Sequence, residues 1–226
     1  MEDYINEVDD SDAEYKIILA GDSTVGKTTL FKKILQNVFL EKSVLTIGID
    51  KKKINLEIKV TEEEKEVLKK ISLILEDTAG QERYQALTKT YFKGANGVLL
   101  LYNITNKKSF DNLTRWVNLI KENINTNSEV KGYIIFLMGT KSDIANEFPE
   151  KREVEEDDAI EFCNKQGLIW KGECSSKNFS DENYKKIFSE FAKELYEKFK
   201  SNKSERVTVS TLQKKKTKPH RRNCHC

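Results

Sequence analysis

Nowhere in its 226 residues does the chain carry a run of eighteen or more apolar side chains, and no apolar block follows the first residues. Neither a membrane-spanning helix nor a secretory leader is therefore expected. Cysteine is scarce, with four in all. Cys163 and Cys174 stand among apolar neighbours, which suits buried thiols of a reducing compartment better than a disulfide. Lysine and arginine are missing from residues 1–14, which hold Glu2, Asp3, Glu7, Asp9, Asp10, Asp12 and Glu14. Acid is nearly missing from 201–226, where Glu205 stands alone against Lys214, Lys215, Lys216, Lys218, Arg221 and Arg222. The net charge of +2 thus conceals an acidic arm and a basic one. Both are poor in apolar residues and are expected to be disordered. What lies between, residues 15–200, is long enough for one domain with a substantial core.

Within that stretch, short apolar runs at 17–20, 71–75, 98–101, 133–138 and 168–170 read as buried strands. Helical periodicity fills 30–38, 110–124, 154–166 and 184–199, with Ser109 and either Ser180 or Asp181 as candidate N-caps. Such alternation predicts an α/β fold: a mostly parallel sheet with helices on both faces. One segment breaks it. Residues 54–60 alternate apolar and polar side chains, as an antiparallel edge strand does, and the Glu- and Lys-rich 61–70 reads as a long, solvated hairpin.

The strongest local signal is Gly21-Asp22-Ser23-Thr24-Val25-Gly26-Lys27-Thr28, between an apolar strand and an amphipathic helix that opens at Thr29. Strand, glycine-bracketed loop, Lys-Thr and helix form the layout of a phosphate-binding P-loop. The two glycines permit a tight wrap whose N–H groups point at phosphate oxygens, and the helix N-terminus adds positive potential. The segment from Asp22 to Thr29 is the expected phosphate contact. Lys27 would reach the β- and γ-phosphates, and the Thr28 hydroxyl would bind Mg²⁺.

Asp77-Thr78-Ala79-Gly80-Gln81-Glu82 follows the strand at 71–76. An acid there can hold Mg²⁺ through its water shell, the Gly80 N–H can meet the γ-phosphate, and Gln81 can orient an attacking water. Thr140-Lys141-Ser142-Asp143 follows the strand at 133–138. The Asp143 carboxylate can accept two hydrogen bonds from guanine, and Lys141 can lie along the base. Adenine would leave that carboxylate unpaired, at about 1–3 kcal/mol or more. Glu173-Cys174-Ser175-Ser176-Lys177 can close the pocket with backbone N–H groups aimed at the guanine O6. An ATPase or kinase fits the loop alone, but not Asp143.

The ordered set GDSTVGKT, TIGID, DTAGQERY, TKSD and CSSK resembles a Ras-superfamily small GTPase. Thr46-Ile47-Gly48-Ile49-Asp50, Tyr91-Phe92-Lys93-Gly94-Ala95, Leu101-Tyr102-Asn103-Ile104-Thr105-Asn106 and the terminal Cys224-His225-Cys226 resemble its Rab branch. The resemblance covers 15–200 and the tail. It implies a Ras-type P-loop GTPase domain in which Thr28, Thr46 and Asp77 serve Mg²⁺, Phe39 packs against guanine, and Gln81 and Lys27 serve hydrolysis of GTP to GDP. The implied nucleotide contacts are Asp22, Ser23, Thr24, Val25, Gly26, Lys27, Thr28, Thr29, Phe39, Thr46, Gly80, Lys141, Asp143, Ser175, Ser176 and Lys177. The resemblance also implies an exchange factor, a GTPase-activating protein, escort and dissociation-inhibitor proteins, effectors, and a role in vesicle traffic. Residues 15–200 leave no room for an inserted helical domain with an arginine finger, so slow hydrolysis is expected without an activating protein.

Four positions depart from the Rab pattern. Thr24 stands where glycine is usual, a difficulty if the loop needs positive φ there. Thr140 stands for asparagine, with an expected loss of contacts that tie the P-loop to the base pocket. Lys51 and Glu76 replace aromatic residues of the effector surface, while Tyr91 keeps the third. These departures motivate an alternative, a nucleotide-locked scaffold that switches little.

Cys224 and Cys226 allow two readings, metal binding with His220 and His225 or lipidation. A short tail makes a poor four-ligand site, and the Rab resemblance implies double geranylgeranylation. One lipid gives only marginal anchoring, and two satisfy the need for a second signal. The basic run at 214–222 would add about 1 kcal/mol per charge near an anionic leaflet. No aromatic side chain occurs in 214–226, which favours membrane over nucleic acid. The expectation is a monomer on the cytoplasmic face of an intracellular membrane, with a cytosolic pool and the tail from Ser201 as a flexible tether.

Overall fold

The computed structural model describes residues 11–36, 49–78, 91–124, 132–178 and 180–216. They run β1 (Ala13–Ala20), α1 (Lys27–Gln36), β2 (Ile49–Glu62), β3 (Lys65–Thr78), β4 (Gly97–Asn103), α2 (Lys107–Asp111), α3 (Leu113–Asn123), β5 (Ile134–Thr140), α4 (Ser142–Glu147), a 3₁₀ turn (Pro149–Lys151), α5 (Glu156–Gln166), β6 (Ile169–Cys174) and α6 (Asp181–Lys216). The strands form one sheet in the order β2-β3-β1-β4-β5-β6. β2 alone is antiparallel to its neighbour and lies at the edge, as its alternation predicts. All other pairings are parallel.

Alternate residues of the central strands feed two cores. Ile17, Leu19, Leu73 and Leu75 face α1 and α6, where Phe188, Phe191, Leu195 and Phe199 recur at three- and four-residue spacing. Ile18, Val98, Leu100 and Tyr102 face the other layer, which includes Leu113, Trp116, Val117 and Ile120 of α3. Each fully buried side chain of this size contributes about 1.5–3 kcal/mol. Because the parallel strands share a direction, their C-terminal ends gather along one edge, where loops of α/β folds hold ligands.

Several boundaries differ from the sequence expectation. β1 begins before residue 15: the Asp12 N–H donates to the Lys70 carbonyl and its carboxylate accepts from the Lys70 N–H, both at 2.8 Å. Glu14 lies within β1 and pairs with Lys53 at 3.0 Å, so the acidic arm is joined to the sheet at its end. The segment 61–70 is the expected charged hairpin, but it is strand nearly throughout. Strand pairing continues to Glu62↔Lys65, leaving Glu63 and Glu64 as a two-residue turn with φ of 49° and 65°. Positive φ at both positions matches the twist of a tight hairpin. Beside that tip, Glu62 accepts from the Tyr196 hydroxyl at 2.8 Å and pairs with Lys200 at 2.9 Å, which pins the hairpin to α6.

Ser109 is not a cap. Asn106 takes that place, its side chain accepting from the Ser109 N–H at 3.3 Å, while the Ser109 hydroxyl is buried. The helix expected over 110–124 is two pieces, divided at Asn112. Ser180 does cap α6, accepting from the Asn183 N–H at 3.2 Å. Where a flexible tail was expected from Ser201, the backbone stays helical to Lys216. No proline or glycine interrupts 201–216, so nothing local stops the helix. Among the described residues, no helix is long and apolar enough to cross a membrane.

Candidate functional site

β1 ends at Ala20 and the chain turns at Gly21, whose φ is 131°. A Cβ at Gly21 would run into the Leu101 carbonyl oxygen, so only glycine fits. The loop closes through Gly26, φ 107°, into α1. Lys27 is 4% exposed and folds its ammonium back over the loop, donating to the carbonyls of Gly21 and Asp22 at 2.7 Å each. Ser23, Thr28 and Thr29 are half-buried, Val25 is buried and Thr24 is exposed. Thr24 has φ 66°. A β-branched residue in the left-handed region stores about 1–3 kcal/mol of strain and persists only where its surroundings hold it.

Two distant contacts do so. The Asp22 carboxylate accepts from the Asn112 side-chain amide and from the Trp116 indole N–H, each at 2.7 Å. The Thr140 hydroxyl lies 2.6 Å from the Val25 carbonyl oxygen and 2.8 Å from that of Tyr102. The expected loss of contact between P-loop and base pocket is therefore corrected: Thr140 makes that tie itself, reaching the loop backbone directly.

At the end of β3, Asp77 is fully buried, and neither carboxylate oxygen has a hydrogen-bond partner of standard geometry among the described residues. Burial pushes its carboxyl up to about 6, opposed by the Thr28 hydroxyl and then the Lys27 ammonium, which favour the charged form. An acid so placed fits a divalent cation: a buried charge without partner is costly, and a cation removes the cost.

The base-pocket motifs also converge. Thr140 and Cys174 are direct partners in the β5–β6 pairing, which sets Lys141–Asp143 beside Ser175–Lys177. Lys141 adopts φ 64° at the start of α4; burial pushes its ammonium pKa down, and Asp143 opposes this. The Ser175 hydroxyl oxygen accepts from the N–H groups of Lys177 and Asn178 at 3.1 and 3.3 Å, rounding that loop into a tight turn. Ser176 is half-buried and Lys177 exposed. Phe39, Thr46, Gly80, Gln81, Cys224 and Cys226 lie outside the described residues.

Lys51 and Glu76 prove to be cross-strand partners, their charged atoms 2.6 Å apart, with Lys16 3.0 Å from the other Glu76 oxygen. Glu76 is 3% exposed, so two cations compensate one buried carboxylate. Sequence reasoning missed Lys16, Asn112 and Trp116. The last two sit four residues apart, a spacing that marks one helix face but not what that face meets.

A glycine-cornered loop with a buried lysine, opposite a buried aspartate that has no hydrogen bond of standard geometry among the described residues, defines a P-loop nucleotide-binding protein of the α/β class. Residues 16–197 match the Ras family pattern. Ras-related protein YPTC6 of Chlamydomonas reinhardtii is 33% identical over 188 residues, 83% of this chain and 78% of that protein. Ras-related protein SEC4 of Saccharomyces cerevisiae is 35% identical over 192 residues, 85% and 80% of the two chains. Ras-related protein Rab-13 of Canis lupus familiaris is 36% identical over 181 residues, 80% and 79% respectively. The chain belongs to the Ras family and is a Rab-like small GTPase.

Proposed function

We propose that the protein binds GTP with Mg²⁺ at this site and hydrolyses it slowly, so that partners read GTP-bound and GDP-bound states. Asp77 carries the proposal: a buried carboxylate with no hydrogen bond of standard geometry among the described residues, beside the Thr28 hydroxyl and the Lys27 ammonium, suits a site that a cation completes. Asp77, Thr28 and Thr46 would hold Mg²⁺, which when bound neutralises charge on the phosphate oxygens. Gln81 orients a water for attack on the γ-phosphate. Lys27 and the N–H groups of residues 22–29 take up charge that develops on the phosphoryl oxygens. Asp143 selects guanine, with Lys141 along the base and Ser175, Ser176 and Lys177 closing the pocket. Phe39 packs against the base, and Gly80 donates its N–H to the γ-phosphate. An activating protein that supplies an arginine in trans accelerates turnover by about 10³–10⁵.

Beyond the domain, geranylgeranyl groups on Cys224 and Cys226, with the basic run at 214–222, attach the protein to the cytoplasmic face of an intracellular membrane. Escort and dissociation-inhibitor proteins maintain a cytosolic pool, an exchange factor reloads GTP, and effectors act in vesicle traffic. Nucleic acid has no part in this reading, and the working unit is a monomer.

The deciding experiment is a time course on purified protein loaded with GTP and Mg²⁺, with the bound nucleotide identified by chromatography. Conversion to GDP over minutes to hours, abolished by Gln81→Leu, is the expected result. Loss of GTP selectivity is expected for Asp143→Asn. The strained Thr24 favours one second reading, the nucleotide-locked scaffold. Persistent GTP would establish that reading, and a site that retains no nucleotide would overturn both.

A further inference from the structure

Asn112 stands at the N-cap of α3, where an asparagine ordinarily accepts from the first turn of its own helix. Its side chain makes no such bond. The amide instead donates to Asp22 at 2.7 Å, and one turn later Trp116 donates its indole N–H to the other Asp22 oxygen at 2.7 Å. A good local cap is thus absent, and a contact across ninety residues of sequence stands in its place.

We propose that Asn112 and Trp116 are positioning residues: they clamp the phosphate loop from α3 and set how fast bound nucleotide leaves. The inference rests on the reading that this loop holds a nucleotide. Two effects act together. The loop carries three positive φ values, at Gly21, Thr24 and Gly26, and so needs anchors outside itself. Lys27 ties its opening turn and Thr140 its middle; the Asp22 carboxylate ties it to the helical layer. The second effect is electrostatic. Asp22 is an anion in a loop built to receive a polyphosphate. With both oxygens engaged by donors on α3, its charge is held there; released, it repels the phosphates.

The test uses full-length protein loaded with a fluorescent GDP analogue and chased with excess GDP. Asn112→Ala suits the backbone at this position, φ −73° and ψ −11°, and removes no cap. It should speed release about tenfold, the loss of one hydrogen bond to a charged acceptor. Asn112→Asp separates the clamp from helix stability. An acid at a helix N-terminus favours the helix, so a role confined to α3 predicts release no faster than wild type. The clamp predicts release faster than in Asn112→Ala, because two carboxylates then face each other. Exchanging the partners, Asp22→Asn with Asn112→Asp, restores an amide–carboxylate pair and should return the rate to within about threefold of wild type. Trp116→Phe keeps the ring buried, loses the N–H, and should speed release several-fold. Wild-type rates in both Asn112→Asp and Trp116→Phe would overturn the clamp, as would acceleration in Asn112→Asp that the exchange does not reverse. Wild-type protein that retains no guanine nucleotide would overturn the underlying reading, and the clamp with it.

Discussion

The Thr140 hydroxyl at the end of β5 lies 2.6 Å from the carbonyl oxygen of Val25, in the middle of the phosphate loop. The two residues are separated by 115 positions in sequence. The Tyr102 carbonyl lies 2.8 Å from the same hydroxyl, so one proton serves two buried acceptors. The end of β5, just before Lys141–Asp143, is thereby bonded to the middle of the glycine-cornered loop. Thr140→Val keeps the shape and removes the hydroxyl. It should cost about 1–2 kcal/mol of stability, read as a lower urea midpoint with unchanged slope. Nucleotide release should accelerate in parallel.

Asp77 makes the cation-free protein sensitive to pH. Its carboxyl sits at about 6 in the folded protein, against an ordinary 3.8. The folded state therefore binds the proton more tightly than the unfolded state, and stability falls as pH rises from about 4 to 6. The loss is on the order of 2–3 kcal/mol. Asp77→Asn should flatten this decline and be the more stable protein at pH 7 without Mg²⁺, while no longer gaining stability from Mg²⁺. Denaturant titrations from pH 4 to 7 in a chelator, repeated with Mg²⁺ at pH 7, check both statements. An equal decline in the two proteins would assign it to other groups.

Thr24→Gly should stabilise the domain. Glycine adopts φ 66° without strain, a gain of about 1–2 kcal/mol. Greater freedom of the unfolded chain returns up to about 1 kcal/mol of that. Thr24 is exposed, so no packing is lost. The expected net gain is up to about 2 kcal/mol by chemical denaturation. A destabilised variant would mean that the threonine side chain makes a contact worth more than its strain.

The ion triad of Glu76 with Lys16 and Lys51 should respond unevenly to substitution. Lys51→Met leaves Lys16 in place and should cost under about 1 kcal/mol. Replacing both lysines by methionine strands a buried carboxylate, at about 3–5 kcal/mol. Adding Glu76→Leu to that pair should recover most of the loss, since an apolar cluster replaces the charges outright. Thermal unfolding of the three variants orders them.

Much of the fold was legible because the strands announce themselves: buried parallel strands require unbroken apolar runs, and β2, with one solvated face, alternates. The phosphate loop was legible for a related reason. Its backbone geometry demands glycine at Gly21 and Gly26 and a lysine just beyond. What escaped were features with no local requirement. The extension of β2 and β3 through charged residues to a turn at Glu63 and Glu64 depends on an anchor from Tyr196 and Lys200. The division between α2 and α3 at Asn112 has no proline or glycine to mark it.

By itself the sequence determined the alternation of strand and helix, the antiparallel edge, and the glycine-bracketed loop that ends in Lys27 and Thr28. Each follows from a chemical need at one position or from a period of two or 3.6 residues. Only the tertiary structure decided that Thr140 secures the loop it was expected to leave loose, that Lys51 and Glu76 neutralise one another, and that Asp22 turns its charge toward Asn112 and Trp116. Those pairings join elements far apart in the chain. A hydrogen bond or ion pair there forms when packing brings donor and acceptor together, and no pattern within either element encodes that meeting.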